Sequence, residues 1–200
     1  MVSSRKPRPR VRSGRGASMI EVLVTLVIIA LGLLGMVGLQ AKLQSTEMES
    51  YQRTQALLLL DDLRGRIEAN RLEVANYADY APVGTPLGAG MVCPDATPAS
   101  TRVLRDVRQW CLALQGASET VGGASVGAMV GGRGCVESLG VGPTGDQTVR
   151  VSVAWQGLTP IAAPAETCAA GLYNGAAGTP CQGDLCRRVV STVIRIANLK

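Results

Sequence analysis

The side chains with the most chemistry in this chain are six cysteines: Cys93, Cys111, Cys135, Cys168, Cys181 and Cys186. No two of them stand in a C-x-x-C pair, the spacing that zinc ribbons and thioredoxin-like redox sites need. An even number confined to one region predicts disulfides in an oxidising compartment, and no metal or cofactor. With six cysteines fifteen pairings are open; the expectation is Cys168 with Cys181 or Cys186, and Cys111 with Cys135. The chain has no histidine, which removes Ser-His-Asp and Cys-His nucleophiles, His general acid–base catalysis and His-ligated metals. The glycine clusters GGASVG and GGRG do not lie between a predicted strand and a helix, and no G-K-[ST] follows, so they read as loops rather than phosphate cradles. The residues point away from an enzyme, with no catalytic set in view.

The net charge of +5 suggests an acidic partner until its location is read. Arg5, Lys6, Arg8, Arg10, Arg12 and Arg15 supply six positive charges within residues 1–16, which hold no acidic residue. Taking six from +5 leaves about −1 for residues 17–200, so direct nucleic-acid binding is not expected. Next to this basic leader, Val22–Leu39 runs eighteen residues without a charge. Residues 17–39 as a helix span about 34 Å at ~1.5 Å per residue, enough to cross a ~30 Å hydrocarbon core. The positive flank predicts a cytoplasmic N-terminus and an exported, periplasmic remainder. The run is too long for a secretory signal peptide, and no small-residue cleavage site follows it. Glu21 is the exception within the apolar stretch. A charge in a membrane span costs about 2.5–3.5 kcal/mol at mid-helix and less near the end, so a functional role is expected of it.

Gly16-Ala17-Ser18-Met19-Ile20-Glu21 resembles the cleavage signature of type IV pilin-class precursors: a basic leader ending in Gly, Glu fifth after the cut, then an unbroken apolar run. Ala17 stands where that family usually has Phe. The resemblance implies that a prepilin peptidase cuts between Gly16 and Ala17 and N-methylates Ala17. It also implies that Glu21 neutralises the terminal ammonium of a neighbouring subunit and so sets axial register. Met19–Gln40, Leu57–Arg71, the Trp near Arg108–Cys111, GGRG before Cys135, V-A-W at 153–155 and CRRVVSTVIRIANL at the end look like the type IV pilus modification (PilV) minor pilins. That family implies a low-abundance subunit that helps prime pilus assembly at the inner membrane, with indirect roles in adhesion and twitching motility. Its implied partners are prepilin peptidase, other minor and major pilins, the inner-membrane assembly platform and the membrane itself. Two alternatives share the N-terminal features: a type II secretion pseudopilin, and an uncut, membrane-anchored periplasmic binding protein.

The elements that must present these residues follow from periodicity. No proline interrupts 17–70, and Met48, Tyr51, Gln55, Leu59, Leu63 and Ile67 recur at helical spacing. Glu49/Arg53, Asp61/Arg64 and Asp62/Arg66 stand at ion-pairing intervals. The expected organisation is a leader over 1–16, a long helix over 17–70 and a globular head over 71–200. Within the head, 82–98 reads as loop, 101–115 as an amphipathic helix and 116–134 as loop. Strands are expected over 135–139, 148–155 and 189–197. The fold class is therefore α+β, pilin-like, with one long N-terminal helix packed on a small antiparallel sheet. Tyr77, Tyr80, Tyr173 and Asn174 are read as packing and turn residues.

Overall fold

The computed structural model describes residues 16, 18–117, 120–122, 124–125 and 129–198. The chain divides into two compact units, Met1–Gln44 and Ser45–Lys200. Helix α1, Met19–Ala69, runs through both. Its first turn starts at Ser18, whose carbonyl accepts from Glu21 and Val22 at 3.0 and 3.2 Å. Neither proline nor a β-branched run competes beyond Ile29, and ion pairs brace the second half: Arg64 with Glu68 and Arg66 with Asp62, both at 2.9 Å.

In the second unit α1 is followed by a 3-10 turn (Arg71–Glu73), α2 (Val74–Tyr80), β1 (Leu87–Gly88), α3 (Arg102–Leu114), and a two-residue hairpin of β2 (Thr120–Val121) and β3 (Ala124–Ser125). The strands β4 (Arg133–Val141), β5 (Gln147–Gln156) and β6 (Arg187–Ile196) complete it. The sheet order is β1-β4-β5-β6, antiparallel throughout. Thr101 caps α3 by accepting from Leu104 N at 3.3 Å, as a hydroxyl N-cap does. The α+β class and the long helix on a small antiparallel sheet are as expected. The segment α2 was not expected; its seven residues carry only Val74 and Tyr77 as buried anchors, too few for a periodic signal.

Period-two alternation sorts the sheet into two faces. Val136, Val149, Val151 and Val153 join Leu63 and Ile67 of α1 and Val107, Trp110 and Leu114 of α3 in the main core. Cys135 and Ala154 point the other way, under Cys168, Ala169 and Tyr173 of the segment between β5 and β6. Each large apolar side chain so buried contributes about 1.5–3 kcal/mol. The face of α1 turned to the core differs from the expected stripe. Gln52, Ala56, Leu60, Leu63 and Ile67 are buried, whereas Met48 and Tyr51 are about half exposed (52% and 49%). Uniform four-residue steps drift around a 3.6-residue helix. The stripe predicted from Tyr51 by fours therefore reaches the core only at its C-terminal end.

Candidate processing and assembly site

In the first unit Gly16 is exposed and a Cβ built on it meets nothing within 4 Å. Ala17, the residue expected to become N-terminal and methylated, lies outside the described residues, as do residues 1–15 of the leader. Glu21 sits in the first turn of α1, exposed, at the helix end where backbone N–H groups favour a carboxylate by about 0.3–1 kcal/mol. From Val22 to Leu39 every side chain is exposed. By length and composition α1 can cross a membrane: its most apolar eighteen-residue window has a mean hydropathy of 2.8, none of it buried in the chain. Gly32, Gly35 and Gly38 likewise have open space around them. The chain thus carries an apolar surface that is exposed among the described residues, and the one acidic side chain in it lies at the start.

In the second unit the cysteines pair as Cys93–Cys111, Cys135–Cys168 and Cys181–Cys186, and none is free. This corrects both expected pairings. Cys111 belongs to α3 on the helical face of the sheet, while Cys135 points to the opposite face, so the sheet stands between them. Cys168 is thereby left beside Cys135, and Cys181 and Cys186 close their own loop across five residues. The Cys135–Cys168 bond fastens the β5–β6 segment over the outer face of the sheet. Arg187, buried to 3% exposure, reinforces it by donating to the carbonyls of Glu166 (2.6 Å), Cys168 (3.0 Å) and Pro164 (3.2 Å). Its Nε lies 3.1 Å from the Asp184 carboxylate.

Three further arrangements join helix to head. Glu49 does not pair with Arg53, as its spacing suggested; it accepts from Leu158 N (3.1 Å), Thr159 Oγ1 (3.4 Å) and Arg188 (3.1 Å). Burial pushes the Glu49 carboxyl up, but Arg188 and the donors at Leu158 and Thr159 outweigh it and hold the group below the usual carboxylate range. Asp106 of α3 receives Arg66 of α1 (3.2 Å) and the Tyr77 hydroxyl of α2 (2.7 Å). Burial first, then the bond and charge of Asp106, push the Tyr77 phenol up to about 12, with Asn70 opposing. Trp110 donates its indole N–H to the Leu59 carbonyl at 2.8 Å, and its ring lies against Gly134. By sequence GGRG reads as loop. In the structure Gly131 has φ +65°, and Gly134, the second residue of β4, leaves to the Trp110 ring the space a Cβ would take. The Trp near Cys111 and the Gly before Cys135 were the visible signal, but their contact is not in either segment alone.

Tyr77 and Tyr173 are core residues, and the Asn174 side-chain Oδ1 accepts from Asp184 N in a turn, whereas Tyr80 is 40% exposed. Among the described residues no three His, Cys, Asp or Glu side chains gather as a metal site would need. No family model, curated protein or solved structure matches the chain.

Proposed function

We infer that this chain is a type IV minor pilin of the pilus modification (PilV) kind: a structural subunit, cut after Gly16, whose α1 enters a helical bundle and whose head is exported. The observation that carries the reading is the order of features in the first unit. An exposed Gly16 after a basic leader is followed by Glu21 in the first turn of a helix whose next eighteen residues are uncharged and exposed among the described residues. An apolar surface of that size belongs in a membrane or against other helices. A carboxylate at its edge costs least when a cation is desolvated with it. Ala17, once freed by prepilin peptidase, would present that cation as a methylated ammonium on a neighbouring subunit. The disulfide-tied α+β head is consistent with an exported location. In this reading the subunit works with other minor and major pilins and with the inner-membrane assembly platform, and it contributes to pilus assembly and thereby to adhesion and twitching motility.

The test is intact and N-terminal mass spectrometry on membrane and sheared-filament fractions, with and without prepilin peptidase. A chain beginning at methylated Ala17, seen only when the peptidase is present and recovered in pili, is the expected result. A chain retaining its leader in peptidase-competent cells refutes the reading in favour of an anchored periplasmic protein. Recovery with secretion components instead of pili reassigns it to a type II secretion pseudopilus.

A further inference from the structure

Within Ser45–Lys200 a groove of about 520 Å³ lies between residues 46–53 of α1 and the start of β6. Trp155, Ile161, Pro164, Val189 and Val190 give it apolar walls. Its charged side chains divide into satisfied and free. Glu49, Arg187 and Arg188 are all committed: Arg188 to Glu49 and to the carbonyls of Thr159 and Leu185, the other two as described above. Arg53 is exposed and has neither hydrogen bond nor ion pair among the described residues, because Glu49 one turn earlier is taken by Arg188. The Ser50 hydroxyl beside it is likewise uncommitted. Three guanidinium groups, Arg53, Arg187 and Arg188, stand against the single carboxylate of Glu49, so the lining is net positive, and the exposed Arg53 favours an occupant that brings a negative charge.

The groove opens onto a second unfilled feature. Strand β6 is last in the sheet, paired with β5 through ten consecutive residues without a bulge and without proline. On its other side none of residues 188–196 makes a backbone hydrogen bond among the described residues. Sheet edges are ordinarily blunted by a bulge, proline or cover, and an open one accepts an extended chain through main-chain hydrogen bonds. A second copy of β6 is a poor occupant. Antiparallel pairing centred between Ser191 and Thr192 sets Arg188 opposite Arg195, like charge against like.

We propose that the edge of β6 and the groove at its start together bind an extended, carboxylate-bearing segment of a different polypeptide. The segment adds a fifth strand, seats an apolar side chain against Trp155 and Val190, which share one face of the sheet, and places its carboxylate on Arg53. The proposed function enters only in making that polypeptide a fellow subunit.

The experiment uses the full chain in detergent micelles and two peptides, acetyl-Thr-Val-Thr-Glu-Val-Thr-Val-amide and its Gln counterpart. Titration calorimetry gives the affinities, and amide hydrogen exchange across residues 192–196 reports on the edge. The Glu peptide is expected to bind about fivefold more tightly than the Gln peptide, as a partly exposed Arg–carboxylate pair allows. Arg53→Gln, at a position with no internal partner, abolishes that difference while both peptides still slow exchange in β6. Equal affinities, a Glu preference that survives Arg53→Gln, unchanged exchange in β6, or binding by neither peptide overturns the proposal. Because the peptides are read on isolated protein, leader cleavage and filament entry play no part. Failure here leaves the proposed function standing, and a chain that is never cut still binds if the inference holds.

Discussion

Replacing Gly134 by alanine puts a methyl group inside the volume of the Trp110 ring. A Cβ there would lie 2.7 Å from both Cζ2 and Cζ3, and closer still to Cη2. Real Cβ contacts do not come so near, so something must move. Trp110 is held from the far side by its 2.8 Å bond to the Leu59 carbonyl and is fully buried against α1. Were the ring to swing out, it would lose that bond and the burial of roughly 150–250 Å² of side chain, about 4–6 kcal/mol at ~25 cal/mol per Å². Shifting β4 away from α3 is cheaper, within the ~1–3 kcal/mol typical of an overpacked core. The cheaper route decides, and because the struck atoms belong to a rigid, pinned ring, the cost falls near the top of that range, about 3 kcal/mol. Urea denaturation of the full chain in detergent, followed by tryptophan fluorescence, reads this directly. Heating should show Tm lower by about 6–12 °C, at ~2–4 °C per kcal/mol for a chain of this size. The mechanism is checked by a double-mutant cycle with Trp110→Phe, whose shorter ring lacks the struck atoms. In that background Gly134→Ala should cost under about 1 kcal/mol, a coupling of ~2 kcal/mol. A loss below ~0.5 kcal/mol in the wild-type background, or the same loss in both, would refute the packing argument.

Removing the disulfides should cost stability in the order of the loops they close. Cys135 and Cys168 are 33 residues apart, Cys93 and Cys111 18, and Cys181 and Cys186 five. Loop-closure entropy then gives about 3.7, 3.2 and 2 kcal/mol for paired Cys→Ala variants; an inverted order in denaturation midpoints would contradict this. Stability should also fall in strong alkali through Tyr77. Its native pKa, raised to about 12, exceeds the ~10 of an unfolded tyrosine, so the native state holds that proton more tightly. The contribution is complete below pH ~10 and is lost between ~10 and ~12. Tyr77→Phe should flatten that part of the pH profile and delete the latest tyrosinate step in an ultraviolet titration; an unchanged profile would show that Tyr77 ionises freely.

Long-range periodicity made the main elements legible. Uninterrupted helix formers announce α1, and the alternation in TVRVSVAW announces β5 with its two faces. The proposed cleavage and assembly residues Gly16 and Glu21 stand out for a different reason: each is an exception to its surroundings, one after a run of arginines, the other within a run of aliphatics. What stayed hidden depends on which face of the sheet a residue takes. Cys135 and Val136 are neighbours in sequence yet lie in different cores, and that single alternation decides the cysteine pairing. Likewise Glu49 has two arginines within reach, one four residues on and one 139 residues away, and the distant one holds it. Local spacing favoured Arg53. Burial beside Leu158 and Thr159, which adds two further donors to the carboxylate, favours Arg188.

The three disulfides join the first cysteine to the second, the third to the fourth and the fifth to the sixth. If the segment after α1 is exported in chain order while the N-terminus stays behind, each cysteine emerges next to its own partner before any later one arrives. Of the fifteen possible pairings, this is the one that an oxidant reaches by taking thiols in the order of their appearance. The head can then be locked section by section, first under α3, then across the sheet, then in the last loop, without native bonds having to be recovered by exchange.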